Sequence, residues 1–64
     1  MKFAKGDMIC REDLGYPEGA LVCDGYDNDG RLLARPLGGG FQVTVPSHEE
    51  RRFRLVAEEE RIVA

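Results

Sequence analysis

The sequence predicts an all-β protein in which five short strands close into a small barrel with one short helical turn. Short apolar stretches recur along the chain, turn-forming residues separate them, and the clearest stretch alternates apolar with polar side chains. Strands at this spacing are typical of small closed barrels and not of helical proteins. The apolar stretches lie at 8–10, 20–23, 32–34, 41–45 and 53–56.

The first two strands are predicted at 7–11 and 20–26, on either side of a polar loop. The loop 11–19 contains Gly15 and Pro17, which favour turns over regular strands. Either of two residue pairs in the second strand faces the core: Leu21 with Cys23, or Ala20 with Val22.

The middle of the chain predicts a tight hairpin. Residues 27–30 read Asp-Asn-Asp-Gly, and these residue types tolerate the positive φ angles that short turns need. A third strand is expected at 31–35. Pro36 ends it, because proline cannot donate a hydrogen bond to a neighbouring strand.

The fourth and fifth strands show the clearest alternation and flank a helical turn. In the fourth strand, 41–45, apolar residues alternate with polar ones, so one face is buried. Ser47 and Glu50 have the spacing of a capping box, which predicts one helical or 3₁₀ turn over 47–51. In the fifth strand, 52–56, the same alternation predicts that Phe53 and Leu55 face inward and that Arg52 and Arg54 face outward.

The chain forms one small domain, because its 64 residues are near the lower limit for independent folding. The predicted core consists of Phe3, Ile9, Leu21, Leu33, Phe41, Val43, Val45, Phe53 and Leu55. Such a core supplies about 3–5 kcal/mol of net stability, so we expect a homodimer or small homo-oligomer. The predicted contact residues are Val22, Leu32 and Val56, with Ile62 and Val63 of the tail 57–64, which either frays or docks.

Composition narrows the function classes. The net charge of −3 makes nucleic acid an unfavourable partner, since phosphate backbones are bound by clustered cations. The apolar runs are too short to span a membrane, and the first residues lack the apolar region of a signal peptide. We therefore expect a cytoplasmic protein without membrane contact, metal or cofactor.

The two cysteines are candidates for metal or redox chemistry. Cys10 and Cys23 are twelve residues apart, a spacing that matches no zinc pattern. In a reducing compartment we expect them to pack as small apolar side chains. The alternative is a disulfide between them, which requires that their strands pair and that the register places the two cysteines opposite each other.

The openings of the first two strands resemble those of SH3-like barrels. Residues 5–9, Lys-Gly-Asp-Met-Ile, and residues 18–22, Glu-Gly-Ala-Leu-Val, are similar to the "GD-x-V" and "G-x-V" strand openings of many such barrels. The resemblance covers most of the chain. It implies the fold and is silent on function, because this barrel supports many unrelated activities.

Two groups of side chains are candidate binding sites. In an SH3-like barrel, Tyr16 and Pro17 of the long loop and Tyr26 at the end of the second strand would line a shallow groove for an extended peptide. The alternative is that Tyr16 only covers the mouth of the barrel. The second group is the basic cluster of Arg51, Arg52 and Arg54, which is the candidate nucleic-acid patch.

Residues 41–46, Phe-Gln-Val-Thr-Val-Pro, resemble the Val-Gln-Ile-Tyr-Pro run of the plasmid-borne type II dihydrofolate reductases. Those enzymes are short SH3-like barrels that assemble as tetramers around a central pore. The resemblance implies that Gln42 lines a pore with Val43 beside it. The sequence departs from that family at Thr44, where the family has tyrosine.

The sequence lacks a paired acid and base, a metal-ligand set or an activated nucleophile. We therefore expect a non-catalytic binding or assembly module that recognises a protein or peptide. The candidate ligand-binding residues are Tyr16, Pro17, Tyr26, Gln42 and Thr44. The type II reductase activity and nucleic-acid binding are the alternatives.

Overall fold

The computed structural model describes residues 2–62, except for the side chains of residues 61 and 62. The chain is an all-β protein with little helix, as the sequence predicts. Its strands are β1 (Met8–Arg11), β2 (Ala20–Tyr26), β3 (Leu32–Pro36), β4 (Val43–Val45) and β5 (Phe53–Leu55). A 3₁₀ helix, Ser47–Arg52, joins β4 to β5, and a short helix α1, Glu58–Ile62, follows β5.

The strands form one antiparallel sheet in the order β4-β3-β2-β1-β5. The last strand therefore returns to pair with the first. The sheet is not closed, because β4 and β5 are its two edges within residues 2–62. The closed barrel expected from the strand spacing is thus not confirmed, whereas the five antiparallel strands are.

The hairpin between β2 and β3 forms as predicted. The Asp27 carboxylate accepts hydrogen bonds from the backbone N–H groups of Asp29 (2.9 Å) and Arg31 (2.8 Å). Gly30 supplies the positive φ of the turn, at 82°. These bonds and the adjacent positive charge of Arg31 hold the pKa of Asp27 below its usual value. The turn chemistry explains this acidic loop without a bound cation.

A bulge in β2 decides which side chains face the core. Cys23 is opposite Ala34, but Gly25 is opposite Leu33, so β2 contains one extra residue between these pairs. Gly25 adopts a φ of 96°, a conformation that other residues rarely take. The extra residue restores Tyr26 to the same face as Cys23, and Tyr26 packs against the main core.

Apolar side chains are buried on both faces of the sheet. The main cluster contains Phe3, Ile9, Cys23, Leu32, Val45 and Phe53, with Leu21 and Tyr26 packed against it. The second cluster contains Cys10, Ala20 and Val56, with Met8 and Tyr16 packed against it. Neighbouring residues of a strand point to opposite faces, so Ile9 and Cys10 enter different clusters. Both thiols are free and buried, and they do not pair.

The predicted core is wrong at four positions. Phe41, Val43 and Leu55 are exposed, and Leu32 is fully buried in place of the half-buried Leu33. Alternation runs through 41–45, but β4 begins only at Val43, so Phe41 lies outside the ladder. Leu55 pairs with Ile9 on the core face, yet it stands at the unclosed edge of the sheet and stays exposed.

The predicted contact patch between copies is also wrong in its composition. Leu32 lies in the main cluster and Val56 in the second, so neither is available on the surface. Val22 is half-buried. The other two predicted contacts fall outside the described part of the chain: residue 63 altogether, and the side chain of residue 62. Within residues 2–62, no helix has the length and apolar character needed to cross a membrane.

Candidate functional site: the β4 edge

The two predicted groove tyrosines lie in different places. Tyr16 packs against the second cluster and Tyr26 against the main cluster, and these clusters occupy opposite faces of the sheet. Pro17 is exposed beside Tyr16. The structure therefore does not bring the two rings together in one groove.

The Tyr26 hydroxyl is used within the fold. It accepts hydrogen bonds from the backbone N–H groups of Lys2 (3.0 Å) and Phe3 (3.1 Å), and it donates to the Glu50 carboxylate. Burial raises the pKa of Tyr26, and the hydrogen bond to Glu50 adds to this effect. Tyr26 thus fastens the first residues of the chain to the 3₁₀ helix and has no hydrogen-bonding capacity left for a ligand.

The start of the 3₁₀ helix differs from the prediction. Pro46 occupies the N-cap position, and no side chain caps the helix by a hydrogen bond. The capping box expected from Ser47 and Glu50 does not form, because Glu50 binds the Tyr26 hydroxyl instead. His48 is exposed on this helix.

The predicted basic cluster is divided. Arg54 binds Glu60 through two parallel bonds of 2.7 and 2.8 Å, which raises the pKa of Arg54 and lowers that of Glu60 to about 2. Arg51 and Arg52 are exposed and line an open depression together with the acidic residues Glu12 and Asp13. The three arginines therefore do not form one continuous positive surface for a phosphate backbone.

Gln42 and Thr44 belong to the other edge of the sheet, although Thr44 lines a shallow depression together with Arg11 and Arg52. Thr44 is exposed within β4 and pairs with Leu33. Gln42 precedes β4, and its amide donates a 3.1 Å hydrogen bond to the Asp24 carboxylate. Asp24 also accepts from Arg35 Nε at 2.8 Å, and its side chain is only 9% exposed. The Gln42 hydrogen bond, reinforced by Arg35, lowers the pKa of Asp24.

The contacts of Asp24 with Gln42 and Arg35 lie next to an exposed apolar segment. Asp24 lies in β2 and Arg35 in β3, so their contacts hold the residues just before β4 against the sheet. The neighbouring Phe41 is 92% exposed, while Val43 and Leu37 are 40% and 41% exposed. Three of the five large apolar side chains exposed on the described chain thus fall within seven residues, 37–43.

We call residues 36–46 the β4 edge segment. These 11 residues contain no Asp, Glu, Lys or Arg, although such residues make up 33% of the whole sequence. β4 pairs with β3 on one side only, so its other side presents backbone groups without a strand partner in the described chain. Charged side chains are one of the features that protect exposed edges in proteins, and this segment has none of its own.

The sequence contains the signal for this surface. A charge-free run of this length in a strongly charged chain marks it, but the alternation of 41–45 suggested burial instead. Whether an alternating strand is buried depends on what covers it, and no element of the described chain covers Phe41.

Metal and thiol chemistry can be assessed for the described residues. Within residues 2–62, no group of three His, Cys, Asp or Glu side chains is arranged to hold a metal ion. Cys10 and Cys23 are completely buried, which removes both thiols from contact with solvent.

Comparison with known proteins yields no relative. The chain matches no protein-family model, no curated protein and no solved structure.

Proposed function

We propose that this chain is a small SH3-like, non-catalytic module that binds a protein surface through its β4 edge segment. The exposure of Phe41 carries the proposal. A phenylalanine that is 92% exposed gains nothing from folding, and it stands beside two further exposed apolar side chains. Aromatic side chains in this setting are typical anchors of protein–protein contacts.

The strand order supports an SH3-like architecture for the module. The last strand pairs with the first, and a single 3₁₀ helix links the two edge strands. β2 is the longest strand and is bent by its bulge, so it contributes to both halves of the sheet. A barrel of this type leaves loops and one strand edge free for recognition.

The anchored geometry favours binding over a merely flexible loop. The side chain of Gln42, next to Phe41, is hydrogen-bonded to Asp24, which restricts the backbone on one side of Phe41. Less conformational freedom then has to be lost on association.

Photo-crosslinking tests this function. A benzoylphenylalanine residue placed at Phe41 should form specific covalent adducts in living cells that express the protein. Mass spectrometry identifies the adducted protein, and the purified partner should bind wild type at least about tenfold more tightly than Phe41→Ala. The matched control carries the same residue at Asn28, an exposed position in the hairpin turn. Equal adduct yields at the two positions would overturn the proposal.

A further inference from the structure

We infer that the occupant of the β4 edge segment is a second copy of this chain, paired edge to edge across a two-fold axis. The inference rests on the proposed function and names its partner. Antiparallel pairing of two β4 strands joins the two sheets into one and supplies partners for the outer backbone groups of β4.

The charge distribution selects a second copy. In a two-fold contact each residue near the axis faces its own copy, so a charged side chain there meets a like charge. Every copy has a net charge of −3, which opposes association over most of the surface. The β4 edge segment has no charged residue of its own, and its nearest preceding charge, Arg35, is already paired with Asp24. The charged side chains of Arg11, Glu49 and Arg52 line a depression with Thr44 to Pro46, away from Val43 at the proposed axis.

The opposite edge of the sheet is unsuited to self-pairing. β5 has Arg54 at its centre and follows Arg52 directly. Glu60 of α1 is bound to Arg54 beside this strand. Two copies of β5 would have to bring these charged groups together.

The sequence of β4 also specifies a register. Centring the pair on Val43 places Val43 opposite its own copy and Phe41 opposite Val45 of the second copy. Phe41 then packs across the edge next to the main cluster, to which Val45 belongs. The polar residues Gln42 and Thr44 pair on the other face. Pro46, which has no N–H group, lies just outside this ladder.

Sedimentation equilibrium measures the assembly directly. Wild type should show a concentration-dependent mass that reaches twice that of the 7.2-kDa chain. Val43→Lys places two positive charges opposite each other and should raise the dimer Kd by about tenfold or more. The matched control is Leu55→Lys, which puts the same charge at an exposed position of the other edge. It should dimerise like wild type. Circular dichroism verifies that both variants are folded.

A charge-swap experiment tests the self-pairing of position 43. Val43→Lys and Val43→Glu should each be monomeric alone and form a mixed dimer when combined, because opposite charges then face each other. A mixture that stays monomeric would overturn the register. A wild type that is monomeric at millimolar concentration, or a dimer lost in Leu55→Lys and kept in Val43→Lys, would overturn the inference.

The two proposals fail in different ways. If wild type is monomeric but a crosslinker at Phe41 captures a different protein whose purified form binds in a Phe41-dependent manner, the proposed function stands and the self-pairing is wrong. If wild type is monomeric and the crosslinker yields no more adduct at Phe41 than at Asn28, both are wrong.

Discussion

The two edges of the sheet are built differently. β5 is surrounded by charge: Arg52 precedes it, Arg54 lies within it, and Glu60 of the following helix binds Arg54. β4 lies in a charge-free segment and exposes Phe41 and Val43. Charged edges resist pairing with other chains, and uncharged edges invite it. The two edges therefore differ in charge, although both contribute a buried side chain to the main cluster, Val45 from β4 and Phe53 from β5.

The largest expected difference is in the free energy of unfolding after one phenylalanine is removed from either edge of the sheet. Phe53→Ala removes a side chain that is 5% exposed in the main cluster, which costs about 3–5 kcal/mol and is comparable with the whole stability of a domain this small. Phe41→Ala removes an exposed ring and should change the free energy of unfolding of the monomer by less than about 0.5 kcal/mol. Urea unfolding at low protein concentration measures both.

Similar losses of stability in Phe53→Ala and Phe41→Ala would contradict the distinction between a buried phenylalanine at one edge and an exposed one at the other. A large loss in Phe41→Ala that disappears on dilution would point instead to stabilisation by association, since such stabilisation depends on protein concentration.

A substitution at Tyr26 tests how the first residues of the chain are attached to the 3₁₀ helix that precedes β5. Tyr26→Phe keeps the ring and removes the hydroxyl that serves Lys2, Phe3 and Glu50. The loss should be about 1–3 kcal/mol, because a partly buried N–H group of Phe3 is left without an acceptor. Thermal unfolding measures the loss. Tyr16→Phe is the matched control, since no hydrogen bond of the Tyr16 hydroxyl is found in the described chain, and it should unfold like wild type.

A carboxylate with a lowered pKa forms an ion pair near each edge of the sheet, and acid should weaken both ion pairs. The pKa of Glu60 is lowered from 4.5 to about 2, mainly by Arg54. A lowered pKa means that the carboxylate stabilises the fold above its usual pKa, and that this contribution is lost as pH falls through the lowered value. The melting temperature of wild type should therefore exceed that of Glu60→Gln from pH 7 to about 4.5, and the gap should close towards pH 2.

Asp24→Asn is the parallel variant for the β4 side. The pKa of Asp24 is also lowered, first by Gln42 and then by Arg35, so the sign of its pH dependence is the same. This variant should in addition increase amide exchange around Phe41, because Gln42 loses a charged acceptor. Glu60→Gln should leave exchange in that segment unchanged. A pH-independent gap for either variant would show that the carboxylate acts without its charge.

Local signals in the sequence predict local structure well. The hairpin at Asp27 and the five strand positions follow from turn chemistry and apolar spacing. The 3₁₀ helix lies where a helical turn was predicted, but the capping box that predicted it does not form. Long-range effects account for the failures. The bulge that turns Tyr26 inward depends on the pairing of β2 with β3, and the Asp24–Gln42 contact joins residues that are distant in the chain. The exposure of Phe41 depends on where β4 begins and on what fails to cover it.

The smallest effect is expected from the reductase chemistry that the resemblance at 41–46 implies. In that hypothesis Gln42 lines a pore that binds two anionic ligands, dihydrofolate and the reduced nicotinamide cofactor. Here the Gln42 amide already donates to the carboxylate of Asp24, so a ligand would have to displace that hydrogen bond. Thr44 also lacks the aromatic hydroxyl of the reductase family. Purified protein with both ligands should therefore show no loss of nicotinamide absorbance above that of Gln42→Ala. Turnover that disappears in Gln42→Ala, while the variant stays folded, would make the β4 edge a catalytic surface and contradict its role as a simple contact.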